Sequence, residues 1–178
     1  MRSTPLVLAV ALSGFTDALS APKVTPVHTT LQLSVARRDL AAASTSDVVL
    51  FGGGCAKGKN YSTYVCNDPT DAVDVFRKSS SSSALELDQT SDIALSEARG
   101  WPTACALGGV VAFLGGGSEG QAPHSRTLDL FDTTAAGGSI TLSTNKTSID
   151  EGRWGQGCSA VGDSIYFAGG KLIAEVTH

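Results

Sequence analysis

The stretch Val110-Val111-Ala112-Phe113-Leu114-Gly115-Gly116-Gly117 is a short apolar run that ends in glycines, and the chain repeats it. Asp47-Val48-Val49-Leu50-Phe51-Gly52-Gly53-Gly54 comes before it, and Ser164-Ile165-Tyr166-Phe167-Ala168-Gly169-Gly170 comes after. A bounded apolar run of this length reads as a half-buried strand. Glycine gives that strand a sharp exit through backbone angles that other residues resist. An arginine stands upstream of each run. Arg37 lies 15 residues before Gly52, Arg99 lies 16 before Gly115, and Arg153 lies 16 before Gly169. The contexts Leu33-Ser34-Val35-Ala36-Arg37 and Leu95-Ser96-Glu97-Ala98-Arg99 also match. The repeat positions are therefore Arg37, Gly52 and Gly53; Arg99, Gly115 and Gly116; and Arg153, Gly169 and Gly170. A structural hydrogen-bonding role explains arginines that recur in this way better than catalysis does.

Between each arginine and its glycines lies a small-residue strand: Ala41 to Ser44, Thr103 to Leu107, and Gly157 to Val161. Beyond the first two glycine clusters, Val73-Asp74-Val75-Phe76 lines up with Leu128-Asp129-Leu130-Phe131. A fourth apolar segment then follows in each, Ala84-Leu85-Glu86-Leu87 and Ile140-Thr141-Leu142. The unit is four short strands, repeated at glycine-to-glycine spacings of 63 and 54 residues. Four strands in about 50 residues, with glycines ending the second, predict an all-β propeller blade.

From Arg37 to Gly170 the chain resembles Kelch repeats in three features: the arginine-to-glycine spacing, the apolar strand ending in Gly-Gly, and the later apolar-Asp-apolar-aromatic strand. Tyr166 matches the tyrosine expected before the glycine pair, whereas Val49 and Ala112 stand in the other copies. The tryptophan of the family's fourth strand is missing, and Trp101 and Trp154 lie instead beside the repeat arginines. The resemblance implies an incomplete Kelch-type β-propeller of four-stranded antiparallel blades. Residues 37–98 would form blade 1, 99–152 blade 2, and 153–178 part of blade 3. Residues 21–36 would be a linker, with Val24 to Val27 as a candidate closing strand. Propellers have four to eight blades, so the expectation is a fragment of a longer propeller. The alternatives are several copies assembled into a ring, or an open stack whose free edges invite self-association.

Composition supports a packed, turn-rich chain. Of 178 residues, 42% are hydrophobic, 17% are charged and 20 are glycine. The net charge of −4, with no basic stripe, argues against a nucleic-acid partner. No apolar run reaches the roughly 18 to 20 residues that span a membrane. Met1-Arg2, the run Leu6 to Leu12, and Ala18-Leu19-Ser20 read as a signal peptide over residues 1–20. A buried N-terminal element and a bipartite plastid leader are the alternatives. Secretion would expose the sequons at Asn60 and Asn145 and allow the four cysteines to pair. Cys55 and Cys66 flank a loop longer than its counterpart, since Gly52 to Asp74 spans 22 residues and Gly115 to Asp129 spans 14. A disulfide pinning that loop is expected. Cys105 and Cys158 sit at near-equivalent strand positions. Burial as small residues is expected there, with an inter-strand bridge as the alternative.

Gly53-Gly54-Cys55-Ala56-Lys57-Gly58-Lys59-Asn60 approaches a phosphate-binding loop. However, Asn60 replaces the required hydroxyl and no amphipathic helix follows, so it reads as a turn leading into a basic loop. His28, His124 and His178 show no metal-ligand spacing, and Asp68, Asp71 and Asp74 lack that of a calcium loop. No cofactor or metal is expected. The functional expectation is a secreted, non-enzymatic module that binds a protein or glycan of unknown identity. Tyr61 and Tyr64, on the loop between Cys55 and Cys66, are its candidate contact residues. The alternative implied by the resemblance is part of a galactose-oxidase-like or other carbohydrate-active propeller enzyme. The oxidases hold copper with two histidines and two tyrosines, one tyrosine cross-linked to a cysteine.

Overall fold

A computed structural model describes residues 9–11, 25–27, 30–56, 66–81, 84–89, 91–117, 124–135, 138–145 and 149–172. The chain divides into two units, Met1–Ser34 and Val35–His178. In the first unit, β1 (Ala9–Ala11) pairs antiparallel with β2 (Thr25–Val27). The candidate closing strand thus has Ala9–Ala11 as its partner. Most of residues 1–20, where a signal peptide is expected, lies outside the described residues.

The second unit is all β. One antiparallel sheet runs in chain order through β3 (Ala41–Ser44), β4 (Val48–Gly52), β5 (Val73–Lys78) and β6 (Leu85–Leu87). A second repeats the order with β7 (Thr103–Leu107), β8 (Val110–Leu114), β9 (Leu128–Asp132) and β10 (Thr141–Asn145). A hairpin of β11 (Trp154–Val161) and β12 (Ser164–Lys171) follows. Two-residue turns join the first two strands of every copy, at Ser46-Asp47, Gly108-Gly109 and Gly162-Asp163. The first strands lie side by side, β3 against β7 and β7 against β11. Among the described residues the sheets do not close on one another.

Backbone geometry moves the repeat register by one residue. The left-handed glycine pairs are Gly53–Gly54, Gly115–Gly116 and Gly169–Gly170, with φ between 67° and 108°. Gly52 is instead the last residue of β4, and its counterparts are Leu114 and Ala168. It is glycine for another reason: a Cβ there would meet the Phe113 ring at 2.7 Å. With the turn pair at Gly53, the arginine-to-glycine spacing becomes 16 in all three copies. Phe51, Phe113 and Phe167 then coincide, and Leu50 rather than Val49 matches Tyr166. The pairings Arg38↔Cys55, Gly100↔Gly117 and Trp154↔Lys171 confirm this register.

The core fills the space between the two four-stranded sheets. Val48, Leu50, Val73 and Val75 come from the first, Val111, Phe113 and Phe131 from the second, and Leu95 from the connection. Each sheet also buries an ion pair. Arg37 Nη1 lies 2.6 Å from Asp74 Oδ2, and Arg99 Nη2 lies 2.8 Å from Asp129 Oδ2. All four side chains are at most 3% exposed. Each guanidinium also donates to the second strand's aromatic residue, Arg37 to the Phe51 carbonyl and Arg99 to the Phe113 carbonyl. The recurring arginine and the recurring aspartate are thus two halves of one contact. It fastens the entry of the first strand to the start of the third. Asp129 accepts further bonds from the Ser96 amide and the Thr144 hydroxyl. Arg153 is different. It is 35% exposed, and its ion pair with Glu151 is 3.2 Å long.

Breaking a buried pair strands a charge in a low-dielectric site and costs about 3–5 kcal/mol, whereas a surface pair contributes about 0–1 kcal/mol. Asp129→Ala is therefore expected to lower the urea-unfolding free energy by several kcal/mol. Arg153→Ala should change it by less than about 1 kcal/mol. Equal effects in the two variants would contradict the buried-clamp assignment.

Candidate functional site

The end of the sheets where β3, β7 and β11 begin gathers most of the unusual chemistry. Two residues past each repeat arginine the backbone is left-handed: Asp39 at φ 57°, Trp101 at 49° and Gly155 at 68°. Positive φ suits glycine and is tolerated by aspartate, but it strains a bulky residue such as tryptophan. The Trp101 amide donates to the Asp39 carbonyl, tying the position in one sheet to its counterpart in the next. Trp101 and Trp154 face one another at 5.3 Å between ring centroids, tilted by 39°. Lys171 Nζ lies 5.5 Å from the Trp154 ring, within cation–π reach. A shallow depression of about 330 Å³ is lined by Asp39, Leu40, Trp101, Pro102, Gly155 and Gln156, among others.

The Cys55–Cys66 loop springs from the same end, because β4 finishes beside the start of β3. Cys55 and Cys66 form a disulfide, and both are buried. Cys55 exchanges hydrogen bonds with Arg38, and the Ala56 amide donates to Asp68, which closes the root of the loop. Gly100 packs directly on the bridge, since a Cβ there would lie 2.6 and 2.7 Å from the two sulfurs. Residues 57–65, including Asn60, Tyr61 and Tyr64, lie outside the described residues. Asn145 is the last residue of β10, opposite Leu128, and its side chain is likewise outside them.

Cys105 and Cys158 correct an expectation. They are half-buried and form a second disulfide, between β7 and β11. The first strands of successive copies run side by side, which brings Cys105 within bridging reach of Cys158, whose own counterpart in β7 is the adjacent Ala104. Two paired cystines match an oxidising, secretory-type environment.

The glycine-rich stretch after β4 is not available to a phosphate. The amides of Gly53, Gly54, Cys55 and Ala56 already donate to the carbonyls of Ala72, Arg99, Arg38 and Asp68. A phosphate-binding loop needs such amides free. No three His, Cys, Asp or Glu side chains converge as a metal site among the described residues. His28 and His178 lie outside them. His124 is buried at 7% exposure, and its ring nitrogens have no hydrogen-bond partner among the described residues. Burial holds its pKa below the ordinary value of 6.5.

No protein-family model matches this chain, and a search among curated proteins returns no match.

Two outcomes follow. Gly100→Ala forces a methyl group against the bridge and should cost about 1–3 kcal/mol, as overpacking does. The cost should shrink when Cys55 and Cys66 are both alanine, in a denaturation double-mutant cycle. For His124, the folded state disfavours the charged imidazole while the unfolded chain accepts it. Its contribution is therefore complete above pH 6.5 and is lost as pH falls through the depressed folded value. The urea midpoint should drop between pH 7.5 and pH 5, and His124→Phe should flatten that part of the drop.

Proposed function

We propose that this chain is part of a secreted Kelch-type β-propeller and binds a protein or glycan ligand on the end where β3, β7 and β11 begin. One observation carries the reading. The Trp101–Trp154 pair stands beside Asp39 and Gln156 at the same end that roots the Cys55–Cys66 loop. Indole faces offer apolar area to a sugar ring or an apolar side chain, and neighbouring polar groups fix its orientation. Asp39 supplies an acceptor. Binding residues on loops and strand ends, held by a rigid sheet scaffold, are a general arrangement in recognition proteins. Three further features support the propeller part of the proposal: four-stranded sheets in chain order, first strands side by side, and one Arg–Asp contact per complete sheet. This mode of binding uses no cofactor or metal.

Trp101→Gly tests the face cleanly, because glycine relieves the left-handed strain while removing the indole. The variant should keep or raise its Tm. Its binding on a microarray of extracellular glycans and displayed peptides should fall at least tenfold. Tyr61→Ala and Tyr64→Ala should weaken the same binding without unfolding the protein. Wild-type binding by all three variants would remove this end as the ligand site.

A further inference from the structure

Three contacts join β7 and the residues leading into it to β11, and they form one ladder. Trp101 faces Trp154, Thr103 Oγ1 donates to the Gln156 carbonyl at 2.9 Å, and Cys105 is bonded to Cys158. Each rung links residues 53 apart in sequence. Alternate residues of a strand share a face, so Trp154, Gln156 and Cys158 lie on one face of β11. The disulfide is thus the covalent end of a ladder whose other end is the tryptophan pair. The two bridges of the chain differ in access. Cys55 and Cys66 are 3% and 0% exposed, with Gly100 packed on their sulfurs. Cys105 and Cys158 are half-buried. Cys105 keeps this exposure although β7 has a neighbour on each side, β3 and β11. Cys158 Sγ also lies 2.9 Å from the Ala104 carbonyl oxygen. A disulfide sulfur has no proton to donate there, whereas a thiol has one.

We propose that the Cys105–Cys158 bond is a reducible switch that sets the geometry of the Trp101–Trp154 pair. The reductant is a dithiol, either a small molecule or a protein with two neighbouring cysteines. Its thiolate attacks one of the two sulfurs and forms a mixed disulfide, and its second thiol then releases the chain. The dithiol leaves as its own disulfide. Two electrons and two protons end on Cys105 and Cys158 as thiols. Accessible bridges are the ones labile to such exchange, so the buried Cys55–Cys66 bond stays closed. The reduced state is accommodated locally, because the Cys158 thiol donates to the Ala104 carbonyl. With the covalent rung gone, the ladder retains one neutral hydrogen bond and a ring contact, and the indoles are no longer held in one arrangement. A pair that is already ordered binds without the cost of ordering it, so the oxidised form is the binding form. That last step rests on the ligand reading given above; the change at the tryptophans stands without it.

The test uses the full chain, with dithiothreitol as the dithiol. The chain has two tryptophans, so every indole signal comes from this pair. In differential alkylation read by mass spectrometry, Cys105 and Cys158 should become labelled at a dithiothreitol concentration at least tenfold below that needed for Cys55 and Cys66. At the lower concentration, the nuclear Overhauser cross-peaks between the two indole rings should fall at least threefold while the far-ultraviolet circular dichroism is unchanged. A double variant, Cys105→Ala with Cys158→Ala, should show the weakened cross-peaks without dithiol and no further change with it. Labelling of both bridges at the same concentration would overturn the proposal, as would indole cross-peaks that survive reduction of Cys105–Cys158. Loss of the far-ultraviolet signal at that step would overturn it too, since the bond would then be a staple and not a switch. The ligand reading is judged separately. Array ligands that bind the oxidised chain should lose at least tenfold in affinity on reduction. An array that stays blank for the oxidised chain removes the ligand reading, while the cross-peaks still decide the switch.

Discussion

The buried arginine–aspartate pair is the contact on which the two sheets depend. Taking two charges out of water is expensive, and mutual attraction offsets this only where the geometry is close and the remaining polar atoms are bonded. The aspartate half meets that condition, with Arg99, the Ser96 amide and the Thr144 hydroxyl around Asp129, whereas Arg99 Nε and Nη1 are buried without a hydrogen-bond partner among the described residues, Nη1 lying 3.7 Å from Glu97. What the pair secures is arrangement. It draws together the segment entering the first strand, the carbonyl of the second-strand phenylalanine, and the start of the third strand. A slip of one residue in β9 would turn Asp129 away from Arg99 and swing Phe131 out of the core. The ion pair and the edge-on phenylalanines therefore specify the same register by independent means.

Much of this was legible in the sequence, because a repeated constraint leaves a repeated pattern. Three apolar runs ending in glycine, three arginines and two apolar-Asp-apolar-Phe strands were enough to order eight strands into two sheets. The slip at the first copy has a plain cause. Gly52-Gly53-Gly54 offers two ways to choose a pair, and only the sign of φ separates Gly52 from the other two. The choice of Gly52 also hid the alignment of Phe51 with Phe113 and Phe167. Arginine and aspartate were each seen to recur, but their partnership spans 37 residues in one copy and 30 in the other. Spacing alone does not link them.

The candidate site was less legible. Nothing in a tryptophan announces left-handed backbone. The available signal was positional: Asp39 and Gly155 stand where Trp101 stands, and both residue types tolerate that conformation. The Cys105–Cys158 bridge was hidden for a related reason. It joins neighbouring first strands, and their adjacency is a property of how sheets stack rather than of any one strand. The loop between Cys55 and Cys66 was easier, because its extra length and flanking cysteines lie close together in the chain.

The two bridges differ in what they add to this architecture. Closing an 11-residue separation removes about 3 kcal/mol of unfolded-state freedom, and closing one of 53 removes about 4 kcal/mol, on the chain-entropy account. The longer bridge acts where packing is thinnest. The hairpin exposes Val161 and Tyr166 at 66% and 60%, and among the described residues it has no buried ion pair of its own. Its backbone link to the second sheet is the Gly116 amide donating to the Arg153 carbonyl, as Gly54 donates to Arg99 one copy earlier. Arg99 and Arg153 thus couple backward through their carbonyls. In the complete sheets the repeat arginine also couples inward through its guanidinium. Stability in such an array is a sum of units and nearest-neighbour contacts. Among the described residues the hairpin shows the backward coupling and not the inward one, and the Cys105–Cys158 bridge reinforces that backward coupling covalently.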